Sequence, residues 1–363
     1  MRQRPEGGER EVQRYRANGT DGAGSFGREA AAEPGCEQSC REGRVSHGGT
    51  VTRGPLPSRP GLLRHRQLIS RLFPVVPLVY VLVVAGIGDL RVEHVVLVLV
   101  VVALSAFGPR SRAFLADITP YVLVALGYDL VRYARRVFVT AERVHACDLR
   151  AAELAAFSVS PGVTLQDWFQ LHHAPFWDLV FAVPYTIFAY LALVYSGFLY
   201  FVDRPRMRRY LWAFAIANFI SFVVWMVFPA APPWYVRANG CQVSMAALPS
   251  AAGLLRVDQL FGMHYYENLY SRAASVFGAM PSMHCAYPML GLLTAWRSVT
   301  WKTRPIHVLY AITMLVGSNY LDHHWLWDGI AGIALACVAV WLSGKLLGRP
   351  EAAPVTAAAV GSK

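Results

Sequence analysis

From residue 72 onward the chain carries apolar runs in quick succession, at roughly 73–89, 92–108, 114–134, 176–202, 210–230, 281–297, 305–321 and 325–347. Nothing constrains the fold more than these runs. A bilayer core about 30 Å thick needs roughly 17–25 apolar residues to cross it as a helix. Every backbone N–H and C=O inside it must find a partner within the protein, so the spanning segments are helices. Composition agrees: 55% of the 363 residues are hydrophobic, 12% aromatic and only 16% charged, too apolar for a soluble domain of this length. The expectation is an all-α polytopic transmembrane helix bundle of about eight spans within 67–348. Several runs are short, so seven is the alternative count.

The flanks differ. Residues 1–66 are rich in Gly, Arg, Glu and Ser, a composition that cannot offset the entropy of ordering, and are predicted to be disordered. Residues 349–363 read as a flexible tail. The net charge of +11 is carried almost wholly by arginine. Nucleic acid would account for that charge, but no recognition motif accompanies it. Anionic headgroups and the positive-inside rule account for it without one. The expected partners are therefore membrane lipids and not nucleic acid, with the oligomeric state unreadable. Of the six cysteines, Cys36 and Cys40 in "CEQSC" have a chelating spacing but no second ligand pair. Cys285 and Cys337 sit in apolar runs as small hydrophobes. No disulfide framework is legible.

Basic short loops set the orientation. "DRPRMRR" (203–209), "RSVTWKTR" (297–304), "PRSR" (109–112) and the Arg-rich N-terminal tail share one side, which the positive-inside rule makes cytoplasmic. Segments 231–280 and 322–328 then face outward. Arg132, Arg135, Arg136, Arg143 and Arg150 fall outside against the rule, partly offset by Glu142, Asp148 and Glu153. Residues 137–175 predict a short amphipathic helix at the interface. The long connection 231–280 is full of Tyr, Trp and Phe and is expected to be ordered and functional.

Three motifs meet at that outer face: "FPAAPPWY", "GAMPSMHCAYP" and "SNYLDHHWLWD". Pro281 suits the first turn of a helix, whose free backbone donors and dipole are ready for an anion such as phosphate. His284 lies in that turn. Asp322, His323, His324 and Asp328 stand at the edge of a span, where ionisable groups are costly and functional by default. Four residues apart on a helix, His324 and Asp328 share a face, so the carboxylate can hold the imidazole N–H and fix its tautomer. That arrangement makes a nucleophilic imidazole and leaves a second histidine as acid and base. A satisfied structural histidine or a His–carboxylate metal cluster are the alternatives. Adjacent helical histidines diverge by about 100°, which argues against His323 and His324 sharing one ion. No metal or cofactor is expected.

"PSMH" and "HHWLWD" resemble the second and third signature motifs of the type 2 phosphatidic acid phosphatase (PAP2) superfamily, P-S-x-H and S-R-x5-H-x3-D. "FPAAPPWY", "FGAMPSMH" and "HHWLWDGIAG" look most like its inositolphosphotransferase branch, which includes fungal inositol phosphorylceramide synthase. The resemblance covers roughly 110–345. It implies a PAP2-like catalytic core in which His324 is the nucleophile, Asp328 its orienting carboxylate and His284 the general acid and base. It further implies an integral membrane phosphotransferase, which the basic loops would orient with its site on the extracytoplasmic face of a bacterial cell membrane. That enzyme moves an inositol phosphate group from a phospholipid donor to a lipid or alcohol acceptor. The alternatives are a lipid phosphate or prenyl diphosphate phosphatase with water as acceptor, and a non-enzymatic transporter. Two departures stand out. The superfamily's K-x6-R-P motif is missing from the outer face, where Arg204-Pro205 would not reach, and Gly317-Ser318 replace the Ser-Arg of the third motif. Arg237, Arg272, Arg132 and Arg135 are then the candidates to neutralise phosphate, with Ser282, Tyr235 and His323 beside them as substrate-binding residues.

Overall fold

A computed structural model describes residues 74–273 and 275–347. The expectations for 1–66 and 349–363, and for Cys36 and Cys40, fall outside the described residues. In chain order the helices are α1 (Val75–Gly86), α2 (Val92–Ala106), α3 (Pro109–Phe138), α4 (Cys147–Phe157), α5 (Leu165–Leu171), α6 (Pro175–Val202), α7 (Arg204–Val227), α8 (Pro233–Asn239), α9 (Leu255–Phe261), α10 (Tyr265–Tyr270), α11 (Met283–Ala295), α12 (Arg304–Tyr320) and α13 (Leu326–Leu347). The architecture is all-helical. Each apolar run of the sequence is a helix, but four of them, α3, α6, α7 and α13, are long and apolar enough to cross a membrane. α1 and α2 are shorter apolar helices.

Local chemistry explains the boundaries. Proline occupies the first turn of α3, α6, α7 and α12, where its missing N–H leaves no bond unmade. Asp203 caps α7 by accepting from Arg206 N at 3.1 Å. One expected boundary is corrected: Pro281 precedes α11, whose N-cap is Ser282 and whose first residue is Met283.

α7 packs against α3, α6, α11 and α13. Small side chains let those backbones approach: Ala213 and Ala217 on α7, and Ala336 and Ala339 on α13, are fully buried. Leu82, Leu99, Phe201, Leu309 and Trp341 point outward and are exposed, as side chains meeting hydrocarbon would be. Short connections make neighbouring helices alternate in direction, so the starts of α6, α11 and α13 and the ends of α3, α7 and α12 share one end of the bundle. At the other end Arg204 and Arg208 reach Asp117 at 2.5 and 2.6 Å. Arg204 is about 35 Å from Val227 along α7, which keeps Arg204-Pro205 away from the histidines.

The histidine end is built from segments 139–174, 228–282 and 321–325. Two short helices, α4 and α5, replace the single interfacial helix expected in 137–175. The described residues of 231–280 include the short helices α8, α9 and α10. Backbone bonds stitch these parts together: Ala231 N donates to His145 O at 2.8 Å, and Ala230 N to Phe277 O at 3.1 Å. A disulfide joins Cys147 to Cys241, so the sequence reading that found no disulfide is corrected. Its partners lie 94 residues apart, a separation that carries no pairing signal.

α11 and α13 cross closely where the motifs meet. Ser282 N donates to Asp328 O at 2.9 Å. A Cβ added to Gly332 would stand 2.2 Å from Ser282 O, so only glycine fits that crossing. The substitution Gly332→Ala should push the two helix starts apart and destabilise the fold by about 1–3 kcal/mol or more, as overpacking does. Thermal unfolding in detergent checks this; an unchanged midpoint would show that the crossing has slack.

Candidate active site

His324 lies in the turn between α12 and α13, not on the helix itself. Its Nδ1 is 2.9 Å from Ala279 O and 3.4 Å from Asp328 Oδ2. Both neighbours are acceptors, so Nδ1 carries the proton and Nε2 is left with a lone pair. The shorter contact makes the Ala279 carbonyl the closer holder of the ring, with Asp328 behind it. Asp328 is fully buried, and its Oδ2 also accepts from Trp325 N at 2.9 Å. Trp325 is the N-cap position of α13 and Asp328 the third residue of that helix, so this is half of a capping box.

The lone pair of His324 Nε2 faces His284 Nδ1 at 3.1 Å. His284 is held by stacking. The Tyr185 ring lies on it at 3.9 Å between centroids and 5° between planes, and Phe188 covers it at 4.0 Å. No side chain caps the start of α11, so first-turn amides beside His284 remain available to an anion. His323 points elsewhere. Its Nε2 donates to Ala251 O at 3.0 Å, and the ring stacks on Tyr185 and Tyr270. Burial, reinforced by His324 next to it, pulls its pKa down to about 3 and keeps it neutral.

His284, His323 and His324 share the wall of a cavity of about 500 Å³. Aromatic side chains dominate the rest of the wall, with Trp234 and Tyr270 from the 228–282 connection and Tyr128, Phe214 and Trp225 from α3 and α7. Phe214 and Trp225 are roughly 16 Å apart along α7, so the cavity runs down among the long helices. Among the described residues no lysine, arginine, aspartate or glutamate lines it.

Buried acids hold the histidine turn from below. Glu153 of α4 is fully buried. It accepts from Leu326 N at 2.9 Å, from Trp327 N at 3.5 Å and from Gln166 Nε2 at 2.8 Å. The same Gln166 nitrogen reaches Asn319 Oδ1 at 2.7 Å and His324 O at 3.3 Å. Burial raises the Glu153 pKa, while those hydrogen bonds oppose the rise. A carboxylate facing the N-terminus of α13 also meets the positive end of its dipole. On the other flank, Asp322 has φ +64°, a left-handed conformation that aspartate tolerates better than most residues. Arg237 grips it twice, at 3.1 and 2.8 Å, and reaches Asp167 at 2.6 Å. Burial raises the Asp322 carboxyl against the pull of Arg237. At Asp167 burial is outweighed by Arg150 and Thr164, which bring it down to about 2.

Several expected binding residues are therefore placed otherwise. Arg237 is occupied by two carboxylates and braces the turn. Tyr235 is fully buried, with its hydroxyl between Gln242 O and Ser244 N. Arg132 lies near Asp129 and donates to Arg272 O, and Arg272 is exposed. Ser282 is buried at the helix crossing. None of these five lines the cavity, and nor does Arg135. Sequence reasoning missed Glu153, Gln166 and Asn319 as supports, and Tyr185 as the plate under His284. The capping role of Asp328 was legible in its position three residues after Trp325. Glu153 carried no signal, because its partners in the first turn of α13 lie more than 170 residues away.

The family model of the PAP2 superfamily matches residues 152–342. A phosphoinositol dihydroceramide synthase of Bacteroides thetaiotaomicron is 27% identical over 276 residues, which cover 74% of this chain and 88% of that protein. The inositol phosphorylceramide synthase catalytic subunit of Schizosaccharomyces pombe is 32% identical over 172 residues, 47% of this chain and 40% of the relative. The inositol phosphorylceramide synthase of Candida albicans is 30% identical over 163 residues, 44% and 34% respectively. The chain thus spans less than half the length of these two fungal relatives. No solved structure matches it.

The buried network makes a prediction. Glu153→Ala strands Leu326 N and loosens the His324 turn, so turnover should fall at least tenfold and the melting temperature with it. Glu153→Gln keeps an acceptor oxygen for Leu326 N and should fall between the two. Equal turnover of the alanine variant and the unaltered protein, per folded molecule, would remove Glu153 from the support of His324.

Proposed function

The chain belongs to the PAP2 superfamily as an enzyme related to inositol phosphorylceramide synthases, and from that premise we propose that it transfers inositol phosphate from phosphatidylinositol to the primary hydroxyl of a ceramide-type lipid. The pairing of His324 Nε2 with His284 Nδ1 at 3.1 Å on a deep, aromatic cavity wall carries the proposal. His324 Nε2 attacks phosphorus, displacing His284 from its lone pair. The bond from phosphorus to the glycerol oxygen breaks, and His284 gives its proton to the leaving diacylglycerol. The inositol phosphate now rests on His324 as a phosphohistidine, whose positive charge Asp328 offsets. His284 then takes the proton of the acceptor hydroxyl, that oxygen attacks phosphorus, and the P–N bond breaks to restore His324. No step calls for a metal ion. Water in place of the lipid would give a phosphatase. The apolar wall and the cover of Trp234 and Tyr270 favour a lipid acceptor, because a transferase must keep water from the intermediate.

We read α1, α2, α3, α6, α7, α11, α12 and α13 as eight spans of an integral membrane protein, with the site on the extracytoplasmic face. Alternating helix direction and the basic loops at the Arg204 end support this. The Cys147–Cys241 disulfide at the histidine end supports it independently, since disulfides persist in oxidising compartments.

With phosphatidylinositol and ceramide, the purified protein should yield inositol phosphorylceramide and diacylglycerol, with little free inositol phosphate, in excess EDTA as well as without it. Free inositol phosphate alone, with every acceptor tried, would make it a phosphatase. His324→Ala should abolish both turnover and an acid-labile phosphoenzyme, while His323→Ala loses far less. Equal and total losses would mean a joint structural role for the two histidines. For sidedness, a cysteine placed at Met207 should react with a membrane-impermeant maleimide only after cells are permeabilised. One at Asn239, in a background lacking Cys147 and Cys241, should react in intact cells. The reverse pattern would invert the topology.

A further inference from the structure

The cavity poses a charge problem. A phosphate group must enter it, yet its described wall carries no lysine or arginine. Of the arginines that might have served, Arg272 is exposed, Arg204 is at the far end of the bundle, Arg237 is gripped by Asp322 and Asp167, and Arg132 and Arg135 near the end of α3 do not line the cavity. Two other side chains on the wall do hold unused donors. The Trp225 indole N–H and the Tyr185 hydroxyl are buried and make no hydrogen bond of normal length; the hydroxyl lies beside that of Tyr270, which also lines the cavity, and Tyr185 is only 1% exposed. Buried polar atoms are nearly always paired, and among long apolar helices no solvent is at hand to make up the loss. Of the unpartnered buried atoms among the described residues, these two belong to residues that line the cavity.

Their positions suit the chemistry. Tyr185 stacks flat under His284. Trp225 packs against Gly278, where an added Cβ would touch its indole at 3.4 Å. Gly278 precedes Ala279, whose carbonyl holds His324. One donor therefore accompanies each histidine, from α6 and from α7. Both supply a neutral hydrogen bond, the indole N–H as a donor only. Fixed neutral donors in a dry site stabilise an oxyanion strongly, because they need no reorganisation as charge develops.

We propose that Tyr185 and Trp225 form a neutral clamp for the phosphoryl oxygens, and that this clamp selects monoanionic phosphodiesters over phosphomonoesters and diphosphates. A phosphodiester brings a single negative charge. A phosphomonoester brings about −1.5 to −2 at pH 7, and its burial without a countercharge is far more costly. The missing K-x6-R-P arginine and lysine are then a feature of the donor class. The proposal rests on the reading of His324 as the nucleophile toward phosphatidylinositol.

The test uses the purified full chain in detergent. Tyr185→Phe keeps the ring stacked on His284 and removes only the hydroxyl; Trp225→Phe removes the indole N–H. Each should slow single-turnover phosphoenzyme formation from phosphatidylinositol by about 10–100-fold, on the scale of losing one oxyanion donor, with thermal unfolding unchanged. Each should also weaken phosphatidylinositol at least threefold in equilibrium competition against a fluorescent phosphodiester lipid. Phosphatidic acid should show at least tenfold lower kcat/KM than phosphatidylinositol in the unaltered protein. Phenylalanine variants that keep both the rate and the affinity overturn the clamp, and efficient turnover of phosphatidic acid overturns the selectivity. If the unaltered protein forms no phosphoenzyme, the phosphohistidine reading falls by itself. The clamp is then decided by the affinity series alone: weakened binding sustains it, and equal binding overturns it.

Discussion

The hydrogen bond from Ser282 N to Asp328 O, at 2.9 Å, pins the first turn of α11 to the first turn of α13. Each of those turns carries one member of the histidine pair or its support. The bond forms because Gly332 lets the α13 backbone reach Ser282 O without a side chain between them. Ser282 and Asp328 are fully buried, and buried backbone groups must find partners within the protein. The crossing therefore places His284 and His324 within 3.1 Å of each other.

Around that crossing the protein meets a second constraint, the cost of buried charge. Glu153, Asp322 and Asp328 are all buried, and each is matched to donors. Asp328 takes Trp325 N, Glu153 takes Leu326 N and Gln166, and Asp322 takes Arg237. Removing one partner from such a set exposes the other as an unpaired buried group, which is the expensive case. The acids thus act on the backbone, on Gln166, on the His324 ring and on one arginine, and among the described residues none of them lines the cavity. This division explains how a turn with a left-handed aspartate can hold two histidines in different directions: His324 toward His284, and His323 toward Ala251 O.

Much of this was legible before any coordinates. Apolar runs determine helices wherever a bilayer removes every other way to satisfy the backbone, and the eight runs are eight helices. "PSMH" and "HHWLWD" singled out His284, His324 and Asp328, which the fold brings side by side, because ionisable residues at span edges need a reason to be there. The basic loops and alternating helices indicated that those motifs lie at one end. Boundaries were less secure. Pro281 sits before α11 rather than in it, since Ser282 takes the cap position.

What remained was decided by contacts across the chain. Tyr235 and Arg237 lie on the same short helix as Trp234, yet Trp234 alone of the three reaches the cavity. Which face of a seven-residue helix points inward depends on its neighbours, and α8 carries no periodic pattern long enough to tell. Glu153 and Gln166 look like ordinary polar residues of an amphipathic segment until α13 is docked above them. Cys147 finds Cys241 only because the segments around His145, Ala230 and Gly278 are stitched together. Sequence by itself determined the helices and the candidate residue types of the site, because hydrophobicity and local spacing act along the chain. The tertiary structure alone decided which donors stay free and which arginines are occupied, because hydrogen-bond partners and ion pairs are properties of assembled space.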